Sequence, residues 1–204
     1  PIIITWFLLD FVRKLSIKFR IFAVPNERSS HDSIIPATGG VALCISWIIL
    51  IIIYSIFVEQ NIELELYYYI LAGVLISIVG FYDDLNELPS FVKLLLQVFI
   101  FFIISLGENS MINSFHGVLG IYELSQLQSI LFSLFVFVVI VNAINLVDGI
   151  DGLSASLTLF FLIITSYFYF ESNYYYNYLV LSFCLSLSVF LFFNYSVKKK
   201  IFLG

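Results

Sequence analysis

Asn142-Ala-Ile-Asn145-Leu-Val-Asp148-Gly149-Ile-Asp151-Gly152 closes a strongly apolar stretch with two amides, two carboxylates and two glycines. Side chains of this kind are costly in a bilayer and are retained there for a task. If one α-helix ran through them, steps of three residues would turn each polar group about 60° back from the last, at roughly 3.6 residues per turn. Asn142 and Asp151 would then point in opposite directions. The two glycines instead predict that the helix ends or tightens here, so that the four polar groups converge on one ligand at the membrane boundary.

The rest of the chain fits that reading. Of 204 residues, 61% are hydrophobic and 11% charged, and the mean hydropathy is +1.06. A soluble domain of this length cannot bury so much apolar surface, so the expected class is an all-α integral membrane protein, a multi-pass helical bundle. About seven transmembrane segments are expected, in a single domain over residues 1–204. The net charge of -5 and the segregation of the nine basic residues give no nucleic-acid surface. Cys44 and Cys184 sit inside apolar runs and read as small hydrophobes, with neither a disulfide framework nor zinc-ligand spacing.

In chain order, Pro1 to Leu9 read as the tail of a first span. Phe11, Leu15, Phe19 and Phe22, flanked by Arg13, Lys14, Lys18 and Arg20, suit a separate basic helix in the headgroup region. A polar loop runs from Pro25 to Ile35, and Pro36 opens an apolar run to Val58, about 34 Å as a helix. Further runs cover Leu66 to Tyr82, ending in Asp83-Asp84, and a segment to Leu106 that Ser90 could cap. A small hairpin outside the membrane is expected near 112–124. Ile130 to Leu146, Leu153 to Phe170 and Tyr174 to Phe193 complete the spans. If spans alternate, all Lys and Arg fall on one side, with Glu59, Glu63, Glu65, Glu108, Glu123 and Glu171 on the other. The basic side is then cytoplasmic, and it carries the 25–31 loop, Asp83-Asp84 and the 142–151 stretch.

Carboxylates and amides gathered on one face are hard oxygen donors, suited to Mg²⁺ or Mn²⁺ and to phosphates. Adjacent side chains on a helix diverge by about 100°, so Asp83 and Asp84 cannot readily grip one atom, and alone they also fit a solvated helix end. Lys93 fits either a snorkelling anchor or a phosphate counter-charge, and Lys198 to Lys200 fit anchors. Arg28 and His31 share one loop, where they could meet an anionic substrate. Gly39-Gly40 reads as close helix packing.

Three motifs then occur in order: Pro25-Asn-Glu-Arg-Ser-Ser-His31 with Pro36 and Gly39-Gly40, Gly80-Phe-Tyr-Asp83-Asp84, and Asn142 through Leu153. Together they resemble the polyprenyl-phosphate N-acetylhexosamine-1-phosphate transferases of glycosyltransferase family 4. The first loop is most similar to the branch that initiates O-antigen and other surface polysaccharides. The resemblance implies that undecaprenyl phosphate attacks the β-phosphorus of a UDP-N-acetylhexosamine at the cytoplasmic face of a bacterial inner membrane, giving polyprenyl-diphosphate-sugar and UMP. It further implies Asp83 as base with Asp84 beside it, Lys93 on the diphosphate, and Asn145 on Mg²⁺. Asn142, Asp148, Asp151, Arg28 and His31 would bind substrate, Asp151 nearest the uracil, in a protein that could pair as a homodimer.

Ala23 and Ala37 stand where many family members carry Asp and Arg. Lys200-Ile-Phe-Leu-Gly204 resembles the lead-in to a metal-binding Asp, so the piece is expected to be a fragment lacking part of its site. A transporter or flippase for anionic lipid or sugar phosphate, or a non-catalytic paralogue, is the alternative. Transporters place polar groups near the bilayer midplane on paired repeats, and neither is visible here. The 204-residue piece alone is expected to release no UMP from UDP-sugars, and measurable release would overturn that expectation.

Overall fold

The computed structural model describes residues 1–23, 35–36, 38–58, 64–107, 110–148, 150–169, 174–196 and 199–203. Arg28 and His31, with the rest of their loop, lie outside the described residues. Among those described there are seven α-helices: α1 (Ile2–Phe19), α2 (Gly39–Val58), α3 (Leu64–Asn86), α4 (Ser90–Ile104), α5 (Gln126–Val147), α6 (Leu153–Tyr169) and α7 (Tyr174–Asn194). The protein is an all-α membrane protein. Helices α2, α3, α5 and α7 contain windows long and apolar enough to cross a bilayer, and α4 and α6 are shorter apolar helices.

Several boundaries differ from the sequence expectation. The first span and the basic interfacial helix are one continuous helix, because no Gly or Pro interrupts residues 2–19. Asp10, at the expected junction, instead reinforces the helix by pairing with Arg13 (3.4 Å) and Lys14 (2.5 Å). α2 begins at Gly39 rather than Pro36, and Ile35–Pro36 pair with Phe22–Ala23 as a minimal antiparallel ribbon. Ser90 is the first helical residue of α4 rather than its cap; Pro89 holds that position, with no side-chain capping bond. α3 runs through Asp83 and Asp84 to Asn86.

The chain divides into two compact units. One comprises Pro1–Asn61, Gly80–Glu87 and Asn145–Gly204, the other Ile62–Val79 and Leu88–Ile144.

In the first unit, α1 packs on α2 and α7, α2 on α7, and α6 on α7. Leu9, Ala42, Leu43, Ala155, Leu187, Phe190, Phe193 and Ile201 form its core. Apolar contact cannot by itself select one arrangement of helices in lipid, where tails are as apolar as leucine. Here a buried hydroxyl cluster adds direction. Thr5 Oγ1 of α1 lies 2.6 Å from Ser46 Oγ of α2 and 2.9 Å from Ser186 Oγ of α7. A second pair, Ser16 and Thr38, meets at 2.6 Å.

The segment after α7 folds back on the start of α2. Gly39 N–H donates to Phe202 O at 2.9 Å, Gly40 N–H to Leu203 O, and Phe202 N–H to Pro36 O at 2.8 Å. These are first-turn amides that α2 itself cannot satisfy. A Cβ at Gly39 would stand 2.4 Å from Phe202 O and 2.6 Å from the Phe190 ring, so only glycine permits this approach.

In the second unit, α4 and α5 run antiparallel. The Gln97 and Asn142 side chains meet at the middle of α4 and near the end of α5, and the Phe101 and Phe137 rings, 5.8 Å apart, meet about one turn further along α4.

Two substitutions test the packing of the first unit by thermal unfolding in detergent. Gly39→Ala should destabilise by about 1–3 kcal/mol through overpacking against a backbone carbonyl. Thr5→Val should cost about 1 kcal/mol by removing the Thr5 bonds to Ser46 and Ser186, the latter keeping its bond to Ser182 O, while Ile3→Ala, at an exposed position, should change little.

Candidate functional site

The opening motif is a helix break, as its glycines predict. α5 ends at Val147, Asp148 begins a turn, and α6 starts at Leu153. Gly152 closes the turn at φ +69°, a left-handed conformation that glycine adopts at no steric cost. A Cβ there would lie 2.2 Å from Tyr195 Oη and 2.4 Å from Tyr195 Cζ. The backbone angle favours glycine at position 152, and a side chain there would also have to displace the exposed Tyr195 ring.

The turn takes its two carboxylates out of the helical register. Asp148 accepts a short hydrogen bond from Ser154 Oγ, whose side chain is buried at the start of α6. Asp151 forms an ion pair with Lys200 Nζ, across 49 residues of sequence. About a quarter of each side chain in that pair stays exposed (26% and 27%). Such a pair adds little to stability, at most about 1 kcal/mol, and its main effect is to orient the carboxylate.

Lys200 is well placed to do so because its segment is fixed. Asn194 Nδ2 donates to Ile201 O at 3.0 Å, Ile201 is fully buried, and the carbonyls of 202 and 203 accept from α2. Lys199, its neighbour, points elsewhere, over the rings of Trp6 (5.3 Å) and Phe193 (5.9 Å).

Asp83 and Asp84 lie in the last turns of α3, Asp83 half-buried and Asp84 exposed. The compact unit that holds Asn145, Asp148 and Asp151 also takes in Gly80–Glu87, the end of α3, and leaves out the rest of that helix. Asn145 is exposed on the last turns of α5. Lys93, on the second turn of α4, and Asn142 belong to the other unit. There Asn142 is engaged between helices: its Nδ2 donates to Gln97 Oε1 and to Val138 O, both at 2.8 Å, and Gln97 Nε2 returns a bond at 3.5 Å. Among the described residues, no three His, Cys, Asp or Glu side chains gather into a metal-binding group.

Four residues that contact the motif lie outside the sequence-predicted site residues: Lys200, Tyr195 and Ser154 in the first unit and Gln97 in the second. Lys200 is masked by its run of three lysines, which reads as an anchor. Ser154 and Tyr195 carry no signal beyond residue type. Gln97, one polar side chain in an apolar helix, was a legible clue to an interhelical bond.

A search of curated proteins finds no match to the chain. The family model described as "Glycosyl transferase family 4" matches residues 66–204, a stretch that includes Asp83-Asp84, Lys93 and the whole 142–152 motif. The chain belongs to glycosyl transferase family 4, the polyprenyl-phosphate sugar-phosphate transferases.

Proposed function

We propose that the protein transfers an N-acetylhexosamine-1-phosphate from a UDP-sugar to undecaprenyl phosphate, at the cytoplasmic face of a bacterial inner membrane. The product would begin a surface polysaccharide such as O-antigen or a wall polymer, and UMP would leave. The observation that carries this reading is the grouping of the Asp83-Asp84 helix end with the Asn145–Asp151 turn in one compact unit of a family 4 chain.

A phosphate oxygen of the lipid forms a new bond to the β-phosphorus, and the bond from that phosphorus to the bridging oxygen breaks, releasing UMP. A phosphate monoester has a second pKa of about 6, so near neutral pH a fraction of the acceptor still carries a proton. Asp83, half-buried beside the exposed Asp84, takes that proton and orients the acceptor oxygen. Lys93 offsets charge that builds on the transferred phosphoryl group, the usual way proteins assist this chemistry. Asp151, oriented by Lys200, and Asp148, oriented by Ser154, face the nucleotide, with Asp151 toward the uracil. Asn142, held by Gln97, braces α5 just before the motif. Arg28 and His31 would meet the substrate from the first loop.

The donors Asn145, Asp83, Asp84 and Asp148 are all hard oxygens, the kind Mg²⁺ takes. In this reading Asn145 with the nearby carboxylates would hold Mg²⁺, which supplies charge neutralisation at the diphosphate when bound. Assembly as a homodimer is compatible with this reading, since all of the named groups lie on one chain.

The test is full-length protein in vesicles with undecaprenyl phosphate, Mg²⁺ and a panel of UDP-N-acetylhexosamines, with UMP as the readout. UMP should appear with at least one sugar; none with any sugar would overturn the reading. Asp83→Asn should lower kcat about 10²-fold or more, the usual contribution of a positioned base. Lys200→Ala should act chiefly on KM for the UDP-sugar, raising it roughly fivefold, which is about 1 kcal/mol of lost orientation. Lys200→Arg should restore much of that loss. An equal fall in kcat with KM unchanged would place Lys200 outside the nucleotide pocket.

A further inference from the structure

α4 is too short for the bilayer that α5 crosses. Its 15 residues extend about 22 Å, whereas the 22 residues of α5 reach about 33 Å, against a hydrocarbon core of roughly 30 Å. Because the two helices run antiparallel, the shortfall lies beside the first turns of α5. The connection between them fills it.

Residues 110–124 form a hairpin whose base runs alongside α5. Ile112 N–H donates to Ser133 Oγ at 2.8 Å, and Ser129 Oγ bonds Ile112 O at 2.9 Å and Asn113 Oδ1 at 2.7 Å. The Phe115 ring packs edge-on against Phe132, with centroids 4.8 Å apart. Phe132 lies six residues into α5, about 9 Å along the helix from Gln126. The base of the hairpin is therefore level with the end of the span rather than beyond it.

Backbone at that depth is tolerated when its polar groups are satisfied internally. Much of this hairpin's backbone is bonded internally. Phe115 N–H donates to Tyr122 O, Gly117 to Ile121, Leu124 to Asn113, Val118 to Phe115, Gly120 to Gly117 and Ile121 to Val118. His116 N–H is taken by Ser114 Oγ. From Ser110 to Leu124 the sequence has one Asp, Glu, Lys or Arg, the exposed Glu123, which lies opposite Ser114 at the base of the hairpin and away from its tip.

The tip is apolar and uncovered. Val118 is 64% exposed, Leu119 90% and Tyr122 70%. Leu119 is held at φ 56°, a left-handed angle that a leucine rarely adopts and that points to a use for its side chain. Leu127, Leu131 and Phe135 of α5 are exposed as well, with the polar residues Glu123, Ser125, Gln126 and Gln128 among them. Between hairpin and helix runs an apolar crevice of about 390 Å³ lined by Phe115, Leu124, Leu131, Phe132 and Phe135, with Gln128 at its polar edge.

We propose that the 110–124 hairpin is a membrane-surface anchor, which inserts Val118, Leu119, Ile121 and Tyr122 into the headgroup–acyl boundary and completes the short α4 span. Its partner is the lipid surface at the end where α4 stops and α5 begins. Tyr122 sits at the depth that suits an aromatic ring with a polar tip. The anchor is independent of the transferase chemistry.

The test uses the whole chain in phosphatidylcholine vesicles, with Leu119→Cys carrying an environment-sensitive dye in a Cys44→Ala, Cys184→Ala background. Acyl-brominated phosphatidylcholine should quench the dye roughly twofold, as for a group about 5–10 Å below the surface, and aqueous iodide should have little effect. Leu119→Trp in a Trp6→Phe, Trp47→Phe background gives an independent reading should the labelled protein not fold. Quenching by iodide and not by bromolipid would overturn the proposal. So would protection from both with self-quenching that grows with protein-to-lipid ratio, which would assign the tip to a second copy of the chain.

Discussion

The first unit depends on how the opening turn of α2 satisfies its backbone. A helix leaves its first amides without partners, and in or near lipid water is a poor substitute. Here the amides of Gly39 and Gly40 donate to the carbonyls of Phe202 and Leu203, which lie more than 160 residues away. That requirement draws the segment after α7 across the foot of α2. Gly39 is what lets the two backbones approach, since any side chain would collide with the accepting carbonyl. Once the segment is pinned, Ile201 is buried and Lys200 is delivered to Asp151. One backbone constraint thus ties the region after the first loop to the polar turn between α5 and α6.

Much of the fold was legible because bilayer spans are written in composition. The apolar runs beginning near Pro36, Leu66, Ser90, Ile130, Leu153 and Tyr174 each correspond to a helix, with ends displaced by a few residues. The helix break at Asp148–Gly152 could be read from its glycines, and the hairpin from alternation and Gly117 and Gly120. The split of α1 into two helices was an overreading. Charge beginning at Asp10 marks a change in environment, yet charge does not break a helix, and i,i+4 pairing with Lys14 strengthens it.

Partner choice was not legible. Lys198, Lys199 and Lys200 are equivalent in sequence, yet Lys199 caps aromatic rings and Lys200 meets a carboxylate, a difference set by the direction of a short non-helical segment. Asn142 reads as part of a polar motif, and its amide also donates to Gln97 on the neighbouring helix, a contact the motif does not announce. In both cases the deciding contact joins residues more than 40 positions apart, beyond the reach of any local pattern.

The turn after α5 shows why a charged site at a membrane face gains from leaving the helix. On a continued α5, Asp148 and Asp151 would be fixed about 60° apart and their orientation would follow α5 alone. In the turn each is governed by a different element: Asp148 by Ser154 at the start of α6, Asp151 by Lys200 after α7. Neither contact is worth much as stability. Each fixes a direction, which is what the proposed phosphoryl transfer would require of these carboxylates more than affinity. The left-handed Gly152 makes that division possible, at a backbone angle that other residues rarely adopt. Gly152, which helps to mark the end of a span in the sequence, therefore also sets the direction of the two carboxylates in the same turn.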